Sequence, residues 1–327
     1  MTIEKQPHGK LKDLSPDLIR RNPENPRLFF RPEEMDTLMA SIRRYGIQVP
    51  ITVYEEGDEY VLIDGERRWR CSLKLNMKRV PALVQPKPTE LNNLLLMFNI
   101  HALREQWDYL TIANKLPSVI SLFSDENEGR IPNEQELSEI TGLTRGQIRR
   151  CRLLFDLPES YRKQLEEELS LPKHLQRISE DFFIEMERAL KTVQKRVPSA
   201  VENLNVARDA LIQKFRDGVI NNIADFRKLS KIATSIDNVG VKESKAKSAI
   251  DDIFNMNLKV SIHDVWVEQF EMRYDERKIN LSVDSIYEYL DAALESDEVR
   301  GIGDDLILRL NKLKNIIDKI LEENNAV

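Results

Sequence analysis

Ile63-Asp64-Gly65-Glu66-Arg67-Arg68-Trp69-Arg70 is the stretch on which the fold turns. A tight apolar run, Tyr60 to Ile63, stops at Asp-Gly and gives way at once to three arginines, a glutamate and a tryptophan. Asp-Gly after a short β-rich run predicts a strand end and a turn. Gly65 lets the backbone approach a ligand with no Cβ in the way. Arg67, Arg68 and Arg70 carry planar forks suited to phosphate. A helix beginning near Glu66 adds free N–H groups and a positive dipole end to the same anion site. The plain alternative is a solvated basic helix start.

Working outward, Arg21-Asn22-Pro23-Glu24-Asn25-Pro26-Arg27 stands upstream, then an amphipathic run from Glu33 to Ile42. Tyr45-Gly46-Ile47-Gln48-Val49-Pro50-Ile51-Thr52-Val53 follows, and Val80-Pro81-Ala82-Leu83-Val84 lies after the arginines. The motif order resembles the N-terminal domain of the ParB partition-protein family, within the ParB/sulfiredoxin-like superfamily. The resemblance covers roughly residues 12 to 170, about half the chain. It implies an α+β N-terminal domain followed by all-α helix-turn-helix and C-terminal helical modules.

The expected organisation is a nucleotide-binding domain over 12–88, a helical connector and helix-turn-helix over 89–179, a helical extension over 180–236 and a C-terminal helical module over 249–327. Candidate strands are Ile51–Tyr54, Tyr60–Ile63 and Ala82–Val84, with Glu56-Gly57-Asp58 as a hairpin turn. Breaks are expected at Gly129 to Pro132, Pro198 and Gly218. Asp237 to Ser248, polar and carrying Lys242, Lys245 and Lys247, reads as a linker. In the last helix Leu306, Leu310, Leu313, Ile317 and Ile320 step by 4, 3, 4, 3, an a/d seam of barely two heptads. It fits a helix packed on its own module or a dimerisation seam.

The chain has 327 residues, 41% of them hydrophobic, 32% charged and 7% aromatic, which points to a helix-rich protein with packed cores. No run approaches the 18 or so apolar residues of a membrane span, and the first residues carry no apolar signal core. Cys71 and Cys151 stand far apart and read as reduced thiols, so a cytoplasmic location is expected, and the family resemblance implies association with nucleoid or plasmid. A net charge of −6 excludes a uniformly basic coat but not a local basic patch.

Residues 134 to 153 fit a helix-turn-helix template. Leu137 is apolar, Ser138 is small where two helices cross, Gly142 sits at the turn, Leu143 is a plug, and Ile148 and Cys151 face inward. Thr144 is placed to cap the second helix. That helix then offers Arg145, Gln147, Arg149 and Arg150, with Arg152 nearby, to base edges and phosphates. The alternative is a helical hairpin with a basic solvated face. The family places its own helix-turn-helix at this point of the chain, and Leu137 through Ile148 and Leu157-Pro158-Glu159 match its pattern.

The resemblance implies CTP, with Mg2+, as cofactor and slow hydrolysis of it. Gly65, Glu66, Arg67 and Arg68 form the first nucleotide motif, with Glu66 also the candidate catalytic group. The second motif is Glu-Asn-x-x-Arg, and here Phe98 stands in place of the acid before Asn99. Asn99 is the candidate metal-side ligand. Arg104 falls five residues after Asn99 in place of three, about 140° round an unbroken helix. Glu105 and Asp108 are the substitute carboxylates, and His101 a further phosphate contact. Binding through Gly65 to Arg68, Asn99 and Arg104 is expected to survive better than hydrolysis.

Sulfiredoxins put a catalytic cysteine where Glu66 stands, and Cys71 lies five residues later, so peroxide-repair chemistry is disfavoured. Expected partners are double-stranded DNA and a second copy of the chain, with no membrane. The family's partition ATPase contacts a basic, glycine-rich peptide of which Gly9-Lys10-Leu11-Lys12 is a poor version. The competing functions are a ParB-fold nuclease or nucleotide-dependent phosphotransferase, and a nucleotide-independent transcriptional regulator.

Overall fold

The computed structural model describes residues 9–25, 30–102, 107–295 and 303–325. Strands β1 (Lys10–Leu14) and β2 (Ile19–Arg20) precede helix α1 (Pro32–Tyr45); β3 (Ile51–Glu56), β4 (Glu59–Asp64), α2 (Glu66–Lys74) and β5 (Val80–Gln85) follow. The sheet order is β1-β5-β3-β4-β2. β1 with β5 and β3 with β4 are antiparallel, whereas β3 with β5 and β2 with β4 are parallel. Gly57, at φ +65°, makes the two-residue β3–β4 turn. The three expected strands are present, each longer than the sequence indicated. β1 and β2 went unpredicted, because Lys10-Leu11-Lys12-Asp13-Leu14 is an exposed edge strand burying a single residue.

Period-2 alternation puts Ile51, Val53, Leu62, Val80 and Ala82 on one face of the sheet, against Trp69 of α2. Tyr54, Val61 and Ile63 occupy the other face, under Leu96 and Ile100 of α3 (Glu90–Ala102). Met35 and Ile42 of α1 close over Cys71 of α2. The sheet therefore lies between helices, and the end of β4 leads through Gly65 directly into α2.

Beyond α3 the described chain is helical: α4 (Tyr109–Glu126), α5 (Glu134–Thr141), α6 (Arg145–Phe155), α7 (Glu159–Ser170), α8 (Glu180–Arg196), α9 (Leu204–Arg216), α10 (Phe226–Val239), α11 (Glu243–Phe254), α12 (Ile262–Gln269), α13 (Glu271–Glu295) and α14 (Asp304–Asn325). One apolar cluster runs from Leu91 to Phe270. α8 forms its axis, burying Phe182, Phe183, Ile184, Met186, Leu190 and Val193. A buried ion pair, Arg208 Nε to Glu187 Oε1 at 2.7 Å, ties α9 to α8.

The breaks at Gly129–Pro132, Pro198 and Gly218 are found. The linker is not: α10 runs through Asp237 to Val239, Gly240 caps it at φ +65°, and α11 starts at Glu243. Val241, Ala246, Ala249, Ile250 and Ile253 are buried, a helical stripe that the three lysines obscured in the sequence. α13 and α14 differ from the rest. Among their described residues Ala293 alone is buried, and Leu306, Leu313, Ile317 and Ile320 of the heptad seam are 37% to 51% exposed.

No helix among the described residues is long and apolar enough to cross a membrane.

Candidate nucleotide site and nucleic-acid interface

The β4–α2 junction has the predicted form. Gly65 adopts φ +97° as the N-cap of α2. A Cβ there would come within 2.7 Å of Ile51 Cγ2 and 3.1 Å of Arg68 Nη2, so conformation and space both require glycine. The first-turn N–H groups of α2 are thus presented at the end of β4 beside four basic side chains.

Those side chains differ in what they are free to do. Arg68 donates from Nη1 to the carbonyl of Val49 and, at 2.7 Å, to that of Pro50. Its Nη2 donates to Asp64 Oδ2 at 2.8 Å, and the side chain is 17% exposed. It stitches the start of β3 to the end of β4. Glu66 is buried. Its Oε1 accepts from Arg70 Nε at 2.8 Å and Nη2 at 2.5 Å, and its Oε2 accepts from Asn25 Nδ2 at 2.5 Å. The guanidinium of Arg70 also lies 4.1 Å from the ring centroid of Phe30.

Arg67 is held more loosely. Nη2 donates to the Glu34 carbonyl at 3.0 Å and lies 3.5 Å from its carboxylate. Arg31, which the sequence reading did not single out, joins it. Its Nη1 is 3.5 Å from Glu34 and its Nη2 3.7 Å from Asp108, while its Nε is buried without an acceptor among the described residues. An unsatisfied guanidinium N–H is costly to leave unmade. Two arginines meeting at Glu34, an orphaned N–H and a helix start without a side-chain cap form a donor set that fits a polyphosphate. The available clue to Arg31 was its place before Pro32, the first residue of α1.

The second motif is only partly in view. Asn99 Nδ2 donates to Leu95 O at 2.9 Å and Ile140 O at 3.3 Å, tying α3 to the end of α5. Phe98 is fully buried, 5.3 Å from Trp107 between ring centroids. An apolar core position thus stands where the family has its acid. Arg104 and Glu105, and the side chain of His101, lie outside the described residues. Asp108, expected as a substitute carboxylate, is beside Arg31. Among the described residues no group of three or more His, Cys, Asp or Glu is placed to hold a metal ion.

α5 and α6 form the second candidate interface. Asn133 opens α5 in a capping box with Glu136, and Gly142 closes it at φ +73°. Thr144 caps α6 through Gln147 N, while Gln147 Oε1 accepts from Thr144 N at 2.8 Å. Ser138 Oγ donates to Leu143 O at 2.6 Å, which explains the small residue at the crossing. Leu137, Leu143, Ile148 and Cys151 are buried as expected. Burial pushes the Cys151 thiol up to about 12.

Arg145 and Arg149 project from the exposed face, and both engage Glu134. Gln147 is half-buried and Thr144 exposed, both at the start of the helix. Arg150 is turned away from that face. It pairs with Asp181, stacks 4.6 Å from the Tyr109 ring centroid, and has a buried Nε without an acceptor among the described residues. Beneath it, Glu180 Oε1 accepts from Leu110 N at 2.6 Å, closing the start of α4. Burial, opposed by that bond and aided by the charge of Asp108, raises the Glu180 carboxyl to about 7.

Residues 2–99 match the ParB N-terminal domain family model. The probable chromosome-partitioning protein ParB of Pseudomonas putida is 30% identical over 158 residues, 48% of this chain and 51% of that protein. The nucleoid occlusion protein of Bacillus cytotoxicus is 26% identical over 273 residues, 79% of this chain and 89% of that one. The C-terminally truncated ParB of Caulobacter crescentus, solved complexed to the centromeric parS site, aligns at a TM-score of 0.42 and 19% identity, over 67% of this chain and 98% of that one. The chain spans about half or less of the length of the partition proteins it matches.

Proposed function

Because the chain belongs to the ParB partition-protein family, we propose that it is a CTP-regulated, sequence-specific DNA-binding protein of the partition type. The observation that carries this reading is the start of α2, left without a side-chain cap, with Gly65 at φ +97° and Arg67 and Arg31 converging at Glu34 beside it. Backbone N–H groups and the α2 dipole bind the phosphates, and Arg67 and Arg31 exchange Glu34 for them. Arg68 and Glu66 hold the loop in shape, with Asn99 and Arg104 completing the set from the second motif. Mg2+, if carried with the nucleotide, would neutralise phosphate charge, with Asn99 as the candidate residue on its side. Phe98 in place of the acid weakens hydrolysis more than it weakens binding.

Thr144, Arg145, Gln147, Arg149 and Arg150 belong to the DNA-reading unit, the first four at its outer surface and Arg150 as the bolt to α8. The 12–88 unit would hold nucleotide and the 89–179 unit would read DNA. The helices over 180–236 would support that unit, and those over 249–327 would join two copies. Nucleotide regulates such a protein only by binding one arrangement of the subunits better than another.

Calorimetry with CTP, ATP and GTP plus magnesium, on wild type and Arg67→Ala, tests the site. CTP-selective binding weakened at least tenfold in the variant supports it. No binding of any nucleotide sinks the regulated reading and leaves a nucleotide-independent DNA binder. A nucleoid-occlusion role in place of partition is favoured by one observation, the reach of the Bacillus cytotoxicus match over 79% of the chain.

A further inference from the structure

Glu134, the first residue of α5, draws three arginines of α6 to one carboxylate. Arg149 donates from Nε to both Oε1 and Oε2 at 3.1 Å and from Nη2 to Oε2 at 2.8 Å. Arg145 Nε reaches Oε2 at 3.3 Å, and Arg152 Nη1 lies 4.0 Å from Oε1. The Glu134 side chain is 19% exposed, whereas that of Arg149 is 61% exposed. Attraction to Arg149 and Arg145 holds the Glu134 carboxyl below the usual range, with the Arg149 hydrogen bond the largest cause. Glu134 is not needed to start its own helix, because Asn133 and Glu136 form the capping box.

The edge that Glu134 grips is informative. A guanidinium has two forked edges, and the carboxylate takes the Nε–Nη2 edge of Arg149. The Nη1–Nη2 edge has no partner among the described residues. That outer edge presents two parallel N–H donors, the fork that bidentate pairing with O6 and N7 of guanine requires.

We propose that Glu134 is a positioning residue for base recognition: it fixes Arg149 so that its Nη1–Nη2 edge meets one guanine in the major groove. This rests on the DNA-binding reading above. An arginine on a flexible stem loses rotamer freedom when it docks. Holding it beforehand removes part of that loss from the binding step and fixes the direction of its donors. The carboxylate also repels DNA phosphate, so Glu134 trades general attraction for discrimination. Arg145 and Arg152, with weaker ties to the same oxygens, remain free to turn to phosphates.

The test uses the full chain. A preferred site is selected from a randomised duplex pool, and duplexes changed at one base pair each are titrated with wild type, Glu134→Gln and Arg149→Lys. Wild type should prefer guanine at one position by about tenfold or more. Arg149→Lys should lose that preference, since a single ammonium cannot present a fork. Glu134→Gln should lose most of it at the same position and keep the others, while its affinity for unrelated duplex is unchanged or higher. A variant that was merely less well folded would lose affinity evenly across all duplexes. If Arg149→Lys erases the guanine preference and Glu134→Gln retains it, the inference fails and the DNA reading stands. If wild type shows no preference among duplexes, the DNA reading fails and the inference falls with it.

Discussion

The carboxylate of Glu66 and the guanidinium of Arg70 form a fork one helical turn apart, at 2.5 and 2.8 Å, with the Glu66 side chain 4% exposed. Asn25 takes the other carboxylate oxygen. A carboxylate with both oxygens engaged and little access to water is built to hold a loop, and general base chemistry would need one oxygen released. Arg70→Ala should therefore lower stability by about 1–3 kcal/mol by leaving a buried charge short of its partner. Glu66→Gln should cost less. Urea unfolding monitored by circular dichroism measures both, and equal effects would show that the pair is not acting as a buried fork.

Arg67 and Arg68 are adjacent in the sequence and opposite in role. Arg68 serves three acceptors, two in the loop just before β3 and one at the end of β4, and Arg67 meets Glu34 at longer range. Arg68→Ala should lower the melting temperature by several degrees, in line with about 1–3 kcal/mol. Arg67→Ala should be within about 1 kcal/mol of wild type, as exposed pairs generally are. Differential scanning calorimetry separates them. A more damaging Arg67→Ala would reverse the assignment of which arginine is available to phosphate.

This contrast marks where sequence reading reaches its limit. Asp64-Gly65-Glu66 announced its turn because only glycine takes φ +97° there, and Leu137, Gly142 and Ile148 announced their helix pair by spacing. Such signals are local. The division of labour between Arg67 and Arg68 depends on which carbonyls approach from β3, and the grip of Glu134 on Arg149 spans 15 residues. The paired Arg31 and Asp108 lie 77 positions apart (108 − 31). The polar surface of Asp237–Ser248 hid a buried stripe for a related reason: lysine stems cover apolar neighbours while their charges stay in water.

Glu180 supplies a prediction about pH. Its carboxyl rises from 4.5 to about 7 in the folded chain, chiefly through burial. Between those values the folded state binds more protons than the unfolded state, so stability falls as pH rises through the window. Above about 7 the full cost is present. Glu180→Gln keeps an oxygen for Leu110 N and removes the charge. It should flatten the dependence of melting temperature on pH between 4.5 and 7 and stabilise the protein at pH 8 by about 1–3 kcal/mol. An unchanged slope in the variant would assign the pH dependence to other groups.

Helix α14 leaves an apolar seam exposed. Its seam residues Leu306, Leu313, Ile317 and Ile320 are each more than a third exposed, with Ile307, Ile316 and Leu321 exposed beside them. Burying an apolar side chain gains about 1.5–3 kcal/mol, so a seam of this size standing in water is a large unclaimed stabilisation. Its 4-3 stepping matches what a second copy of the same helix would present, knobs into holes. The full chain should therefore sediment at about twice its 38.1 kDa mass. Leu313→Asp with Ile317→Asp places charges in the middle of the seam and should give a monomer. The cluster from Leu91 to Phe270 makes no use of either residue. Its melting transition should survive in the variant, apart from the concentration dependence that dimerisation adds. Sedimentation velocity at several concentrations decides it: a monomeric wild type, or a variant still at twice the mass, removes α14 as the joining element.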